Sequence, residues 1–194
     1  MASSSPFPPV TDRSGEAAST EVVFARLFEV APAEIVALMN DPQVRRQLPL
    51  AKGEFTLDAC ARFVEGKERM WDEAGYGPWA FLVDDRFVGW GGLQPEGGDA
   101  DIGLILGRDG WGLGRQIYER VLTFAFDELG LDSVIALLPP TRKRGGGLKR
   151  LGFEEDGELV IGGERFVRFR LYRPRTGLRG AAPQPMPGGR LRCR

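Results

Sequence analysis

Hydrophobic positions along the chain follow two periods, and the changes between them divide the sequence into helices and strands. Pro32 to Asn40 and the longer segment from Thr56 to Ala74 have helical spacing. The first has a proline in its opening turn, and the second begins with a threonine suited to an N-cap. Glu21 to Phe28 alternates enough to predict a strand before both helices.

The pattern then changes to that of strands. Trp79–Val83 and Phe87–Leu93 flank a polar corner and predict a hairpin, and Asp101–Leu106 is apolar enough for a central strand. A glycine-rich turn leads from there into a predicted helix, Leu113–Leu129. Ser133–Leu138 is a further short apolar strand.

The last part of the predicted domain combines a weak helix with a hairpin. The basic segment from about Arg142 to Leu151 contains three consecutive glycines, so we expect its helix to start late, near Gly147. Glu158–Ile161 and Glu164–Tyr172 flank a Gly-Gly turn and predict the closing hairpin. The element order indicates an α/β (α+β) fold in which helices flank a mixed sheet.

Composition is consistent with one domain between two tails. We expect a domain at 21–173, a disordered Ser/Pro/Ala-rich tail at 1–20, and a disordered basic tail at 174–194. The basic tail carries five arginines and no acid, so contact with nucleic acid or ribosome stays open as the less favoured interpretation. No apolar run suits a membrane span, and the N-terminus lacks a secretory pattern. We therefore expect a cytoplasmic location and no membrane partner.

The most informative feature of the composition is the absence of histidine among the 194 residues. Serine–histidine and cysteine–histidine nucleophilic pairs are thereby excluded, as are histidine-ligated metals, and we expect no metal site. The two cysteines do not form a disulfide framework. Group transfer from a cofactor is the chemistry that best suits such a composition.

The turn Asp109–Arg115 is the candidate for binding that cofactor. Three alternate glycines let an anion approach the backbone, and the following helix presents unpaired N–H groups and the positive end of its dipole. Arg115 adds a possible charge-assisted contact. A Walker loop is disfavoured because the Lys-Ser/Thr pair is missing, and a dinucleotide fold because a hairpin precedes the turn. Alone, the motif suits a structural turn equally well.

A resemblance to a known family favours the cofactor-binding interpretation of this turn over the structural one. Asp101–Arg115 resembles the signature of the GNAT N-acetyltransferases, most closely the RimJ/RimL-type branch that acetylates ribosomal-protein N-termini. Three further segments resemble that branch in the same order: Asn40–Val44, Arg86–Leu93 and Leu148–Phe153. The resemblance spans Glu21 to Arg173.

The resemblance implies a fold, a cofactor and a reaction. The fold is a mostly antiparallel central sheet with a V-shaped split, flanked by about four helices. Acetyl-CoA (coenzyme A) is the cofactor, and the acetyl group passes to a primary amine by direct attack in a ternary complex. That amine belongs to a protein N-terminus or a small molecule. The implied cofactor-binding residues are Leu104, Ile105, Leu106, Gly110, Trp111, Gly112, Leu113, Gly114, Arg115, Gln116, Thr141 and Arg144.

Asp101 is the candidate general base, because it stands where the branch often has glutamate at the start of this strand. A solvated strand-entry acid is an equally weighted interpretation of Asp101. Glu68, which interrupts the apolar stripe of the second helix, is a weaker candidate and better suits a helix-surface charge. Trp79, Trp90 and Phe87 are candidates for the acceptor pocket, although strand aromatics more often belong to the core.

The sequence departs from the family near the penultimate helix. Thr141–Arg144 replaces an Asn-x-x-Ser segment, and Leu148 occupies the position of a tyrosine that many relatives use as an acid. The basic residues of this segment suggest a contact with the 3′-phosphate of coenzyme A, or simply a solvated turn. These departures leave a second hypothesis open, a non-catalytic acyl-CoA-binding or sensor module. We expect no specific nucleic-acid partner, and either a monomer or a homodimer.

Overall fold

A computed structural model describes residues 20–51, 53–140 and 146–174. The seven strands are β1 (Val23–Ala25), β2 (Pro78–Val83), β3 (Arg86–Glu96), β4 (Asp99–Leu106), β5 (Ser133–Leu138), β6 (Glu154–Ile161) and β7 (Glu164–Tyr172). The five α-helices of the described residues are α1 (Pro32–Asn40), α2 (Pro42–Arg45), α3 (Leu57–Ala74), α4 (Gly114–Thr123) and α5 (Gly146–Arg150). None of the helices described is long and apolar enough to cross a membrane.

The strands form one sheet in the order β1-β2-β3-β4-β5-β7-β6. β4 and β5 are parallel, whereas the other neighbours are antiparallel. In the described part of the chain, β4 and β5 are paired only between Asp101 and Ile135. The predicted fold class is confirmed: a mostly antiparallel mixed sheet flanked by helices, and the β4–β5 boundary is where its two halves separate.

Local signals determine the helix boundaries. The Thr56 hydroxyl accepts the Ala59 N–H at 3.2 Å, which confirms the predicted cap of α3, and Gly75 ends that helix in a left-handed conformation. α4 continues directly into a π-helical turn, Phe124–Glu128. The helix predicted at Leu113–Leu129 is therefore continuous, but its hydrogen-bonding pattern changes from α to π. α5 is described from Gly146, and because residues 141–145 lie outside the described part of the chain, the late start of this helix stays a prediction.

The first strand is shorter than predicted. Leu27–Glu29 forms a 3₁₀ turn, and the Glu29 carboxylate accepts the Arg26 backbone N–H at 2.8 Å. That capping bond ends the extended segment after Ala25, and Leu27 turns into the core. The strand before the last turn is instead longer than predicted, because it begins at Glu154 rather than Glu158.

The core lies on both faces of the sheet. On one face α4 packs Ile117 and Val121 against a cluster that includes Trp79, Phe81 and Ile102. On the other, α1 and α3 cover a second cluster, comprising Leu27, Val30, Ile35, Met39, Cys60, Ala80 and Trp90. Burial of this apolar surface is the main stabilising contribution to the fold.

Glycines allow β3 to approach β4 closely. A Cβ built on Gly89 would overlap the Ile105 carbonyl oxygen, and one on Gly91 would overlap the Gly103 carbonyl oxygen. The two strands are consequently held close together along the edge of β4 that faces away from the split. This is the physical requirement behind the glycine-rich segment that the sequence showed in β3.

An ion-pair network joins the strands at the other end of the split. The Arg170 guanidinium donates to Asp99 at 2.7 and 2.9 Å, to Asp156 at 2.7 Å and to the Ser133 hydroxyl at 2.9 Å. The hydrogen bond from Arg170 lowers the pKa of Asp99 below its usual range. β4, β5, β6 and β7 are thus held together by one side chain. The tails predicted at 1–20 and 174–194 fall almost wholly outside the described residues and stay predictions.

Candidate active site

The three glycines of the turn after β4 have different structural roles. Gly110 lies against β3, where an added Cβ would stand 3.0 Å from the Val88 carbonyl oxygen. Gly112 has φ +93°, a conformation that disfavours other residues, and a Cβ there would meet nothing within 4 Å. Gly114 opens α4, with only Leu106 near its Cβ position, at 3.8 Å. The first glycine is needed for packing, and the other two leave open space.

The N-terminus of α4 meets that open space. Leu113 is the N-cap residue and no side-chain hydrogen bond caps the helix. The N–H groups of Gly114, Arg115 and Gln116 therefore have no partner within the helix, and the helix dipole adds partial positive charge. Such an arrangement binds phosphate groups well.

Arg115 and Trp111 border the same turn in exposed positions. The Arg115 Nε atom donates to the Glu119 carboxylate at 2.7 Å, one turn along α4, and the arginine side chain is 81% exposed. An ion pair exposed to that extent contributes little to stability. Arg115 can therefore leave Glu119 for another anion with little loss of folding free energy. The Trp111 ring is also exposed.

The split between β4 and β5 lies beside the turn. Leu104, Ile105 and Leu106 pair with β3 along one edge of β4, so their other edge faces the split. All three are partly buried. This backbone edge is available to an extended ligand arm, as a strand edge is to an added strand.

A cavity of about 480 Å³ occupies the split and extends beneath α3. Most of its walls are apolar, with Phe63 from α3, Trp90 from β3, Leu137 from β5 and Phe166 from β7. Of the aromatic residues proposed for an acceptor pocket, Trp90 lines the cavity. Trp79 is instead in the core, and Phe87 borders a separate, more open depression.

Asp101 lies where β4 and β5 separate, and it lines the cavity. Its Oδ1 atom accepts the backbone N–H of Leu137 at 3.2 Å. Burial raises the pKa of the Asp101 carboxyl to about 7, and nearby Glu96 adds to the rise, while the Leu137 N–H and Lys67 oppose it. The candidate base is therefore poised to take up a proton near neutral pH.

Lys67 of α3 is the functional candidate that the sequence reasoning missed. Its Nζ atom donates to the Gln94 side-chain oxygen and lies 5.5 Å from the ring centres of both Phe63 and Trp90. Burial lowers its pKa, and the charge of Asp101 opposes that shift. One signal was available: Lys67 follows Phe63 by four residues and precedes Trp71 by four. It is thus a charge within an apolar helical stripe.

Glu68 takes no part in this cluster. Its Oε2 atom accepts from the Arg26 guanidinium, whose centre stacks 4.6 Å from the Trp71 ring. Glu68 is absent from the cavity walls. The pair holds α3 against the segment after β1, so the role of Glu68 is structural.

Two of the predicted cofactor-binding residues, Thr141 and Arg144, lie outside the described part of the chain. Their contribution stays a prediction. Immediately beyond them, Leu148 of α5 is buried in the core, and the helix ends in a turn at Gly152.

The sequence matches the model of a known family over residues 25–154, and that family is described as the acetyltransferase (GNAT) domain. The chain belongs to the GNAT acetyltransferase family. Members of this family transfer an acyl group from acetyl-CoA, which agrees with an anion-binding turn beside a split sheet.

Solved structures with the same fold include other acetyltransferases. One from Agrobacterium tumefaciens superposes with a TM-score of 0.64 at 16% identity, covering 86% of this chain and 95% of the other. A ribosomal-protein-alanine N-acetyltransferase from Brucella melitensis superposes with a TM-score of 0.60 at 18% identity, covering 79% of this chain and 99% of the other. At these identities the likeness concerns the fold alone.

Proposed function

We propose that this GNAT protein is an N-acetyltransferase that transfers the acetyl group of acetyl-CoA to a primary amine by direct attack in a ternary complex. The acceptor amine belongs to a protein N-terminus or to a small molecule. The observation that carries the proposal is the placement of Asp101. Its carboxyl has a pKa of about 7 and lies in a largely apolar cavity, at the point where β4 and β5 separate.

The residues of the turn and split suit coenzyme A. The uncapped start of α4 and the open space at Gly112 fit a pyrophosphate, with Gly110, Leu113, Gly114 and Gln116 shaping the same cradle. The free edge of Leu104–Leu106 suits the amide groups of a pantetheine arm. Trp111, Arg115, Thr141 and Arg144 complete the proposed cofactor-binding set. Acetyl-CoA, when bound, supplies the acetyl group as an activated thioester.

Asp101 is proposed to act as the general base. A carboxylate with a pKa near 7 is ionised in a large fraction of molecules at neutral pH and still basic enough to accept a proton from an amine. The apolar walls exclude bulk water and favour the neutral form of the acceptor. The remaining contribution of the protein is to hold the two substrates in a fixed orientation.

Membership of the RimJ/RimL-type branch is part of the proposal. The four segments that resemble the branch support it. They lie at the junction of α1 and α2, on β3, on β4 with its turn, and on α5 with the turn that follows it. A structural neighbour named as a ribosomal-protein-alanine N-acetyltransferase is compatible with it.

The test is a thiol-release assay with acetyl-CoA and a panel of amines, combined with calorimetric titration of coenzyme A. Release of thiol that depends on an amine, with acetylated product detected by mass spectrometry, supports the transferase. Binding of coenzyme A without release on any acceptor would instead favour the non-catalytic acyl-CoA-binding module. Absence of binding would contradict both functions.

A further inference from the structure

The polar groups of the cavity are concentrated on one wall. Lys67 from α3, Gln94 and Glu96 from β3, and Asp101 from β4 all line it, and the rest of the lining is mainly apolar or aromatic. Gln94 stands opposite Asp101 in the β3–β4 register and accepts a hydrogen bond from Lys67. One cation and two acids therefore share this wall, and Gln94 connects Lys67 to the position opposite Asp101.

The Lys67 ammonium has hydrogen-bonding capacity to spare. An ammonium group has three N–H donors. Within the described residues, the structure gives Lys67 one hydrogen-bond acceptor, Gln94. The rings of Phe63 and Trp90 also lie near the ammonium, but they do not accept strong hydrogen bonds. A dehydrated cation with free donors, open to a cavity, is a binding group for an anionic oxygen.

We infer that the acceptor is a free α-amino acid with an apolar or aromatic side chain, bound through its carboxylate by Lys67 and through its amine by Asp101. This inference rests on the proposed acetyl transfer and names its substrate class. An α-amino acid is a zwitterion whose opposite charges are separated by a single carbon. The neighbouring charges of Lys67 and Asp101 match that arrangement.

Other acceptor classes fit these walls less well. Polyamines and aminoglycosides bring several positive charges, and the largely apolar surface dehydrates those that do not reach Asp101 or Glu96. A peptide N-terminus offers no carboxylate beside its amine, and its chain needs an exit. On one side of the cavity, Leu50 and the hairpin turn at Gly162 lie close together and leave little room for such a chain, since a Cβ on Gly162 would stand 3.2 Å from the Leu50 side chain.

The volume also favours a small acceptor. Pockets for small ligands typically measure about 300–1,000 Å³. This one, at about 480 Å³, borders Leu104 and Ile105 and so also includes the path proposed for the acyl end of the cofactor. The space beside Phe63, Trp90 and Phe166 then suits an apolar side chain of ordinary size.

The chemistry balances with the groups present. The α-ammonium loses one proton to the Asp101 carboxylate, and the freed amine attacks the acetyl carbon of acetyl-CoA. The new N–C bond forms as the C–S bond breaks. The second amine proton passes to the leaving thiolate, so the products are an N-acetyl amino acid and coenzyme A.

The experiment compares three acceptors that differ at the carboxylate with a dipeptide and a polyamine. Thiol release is measured with L-phenylalanine, L-phenylalaninamide, phenethylamine, the dipeptide Phe-Ala, and spermidine. L-Phenylalanine is expected to have the highest kcat/KM, about tenfold or more above the amide and the amine, because they lack a charge-assisted hydrogen bond to Lys67. Calorimetric binding of L-phenylalanine in the presence of coenzyme A gives a readout independent of turnover.

Variants then test Lys67 itself. Lys67→Met is expected to lower kcat/KM for L-phenylalanine about tenfold or more beyond any loss for the amide, and Lys67→Arg is expected to restore part of that difference. Arg69→Met is the matched control, because Arg69 lies on the same helix with an exposed side chain that pairs only with Glu65 among the described residues. It is expected to resemble the wild type.

The outcomes separate this inference from the proposed function. Turnover of spermidine or Phe-Ala at rates equal to or above that of L-phenylalanine would overturn the amino-acid acceptor and keep the acetyltransferase. An equal loss for acid and amide in Lys67→Met would overturn the carboxylate contact. Absence of thiol release with every amine would overturn both.

Discussion

Leu137 donates its backbone N–H to the Asp101 carboxylate at 3.2 Å, across the point where β4 and β5 separate. In a continuous sheet that N–H would pair with the neighbouring strand. Here a side chain satisfies it, so the strands diverge without an unpaired group at the fork. The same carboxylate lines the cavity, and its structural contact fixes the orientation of the candidate base.

Replacing Asp101 by Asn is expected to lower kcat about 100-fold or more, with little change in acetyl-CoA affinity. Asparagine keeps an oxygen for the Leu137 N–H but does not accept a proton. Steady-state kinetics and calorimetric titration of coenzyme A measure the two effects separately. Glu68→Gln is the comparison, because Glu68 bonds Arg26 and does not line the cavity. Similar losses in both variants, or an unchanged kcat in Asp101→Asn, would remove Asp101 as the base.

The raised pKa of Asp101 also predicts how stability depends on pH. Its folded-state value of about 7 exceeds the ordinary 3.8, so the folded protein holds this proton more tightly than the unfolded chain does. The stability that it contributes is fully present below about pH 4 and is lost as the pH rises through about 7. The free energy of unfolding of Asp101→Asn, taken relative to that of the wild type, is therefore expected to increase by about 1–3 kcal/mol as the pH rises from about 5 to about 8.

Urea unfolding of both proteins at the two pH values measures this change in the difference of free energies. A difference between variant and wild type that stays constant would show that the carboxyl titrates near its ordinary value. The result would also weaken its assignment as a base poised near neutral pH.

Much of the fold was accessible from the sequence because periodicity and capping are local. The bounds of α1, β5 and β7 follow the pattern of apolar residues, and the Thr56 cap and the start of α4 after a glycine turn follow from residue type. Asp101 was identified because it stands where the similar family branch often has glutamate, at the start of this predicted strand. The end of β1 was missed, since it depends on a capping bond between Arg26 and Glu29.

The position of Lys67 in the cavity was not accessible in the same way. Lys67 meets Gln94 across 27 residues of chain, and that contact depends on how α3 lies over β3. The two charges that interrupt the stripe of α3, Lys67 and Glu68, differ by one position and face different neighbours. Sequence reasoning singled out Glu68, whereas the helix register turns Lys67 towards the cavity. The pKa of Asp101 likewise depends on burial that no local pattern encodes.

Gly112→Val is expected to abolish binding of coenzyme A while the protein stays folded. The left-handed φ of +93° strains any side chain, and the new Cβ would project into the open space proposed for a phosphate. Gly130→Val is a matched control, because Gly130 also has a positive φ (+68°) and open space but lies at the far end of the helix that follows the turn. Calorimetry is expected to show lost binding only for Gly112→Val, with a modest loss of stability in both. Undiminished binding would make the turn purely structural.

The proposed direct attack predicts sequential kinetics. Initial rates measured against acetyl-CoA at several acceptor concentrations are expected to give intersecting reciprocal plots, because no enzyme-bound acetyl group forms before the amine arrives. Mass spectrometry of the protein incubated with acetyl-CoA alone is expected to show the unmodified mass. Parallel plots together with an acetylated side chain, for example at Cys60, would contradict direct attack.

Arg170→Met is expected to destabilise the protein by about 2–4 kcal/mol. The Arg170 side chain is 15% exposed and joins Asp99, Asp156 and Ser133. Its removal leaves two half-buried carboxylates whose remaining ion-pair partner among the described residues is Arg168. Arg165→Met on the same strand is the control. Its side chain is 67% exposed and pairs with Glu158 at 3.4 Å, so we expect a loss below about 1 kcal/mol.

Denaturant unfolding near neutral pH measures both variants. Because the pKa of Asp99 is lowered by its bond to Arg170, the stability from that pair is present above the ordinary carboxyl pKa and lost as the pH falls through the lowered value. The difference in unfolding free energy between the wild type and Arg170→Met is therefore expected to become smaller at acidic pH. Equal and small losses in the two arginine variants would show that packing, rather than this network, holds β4 to β7 together beyond the split.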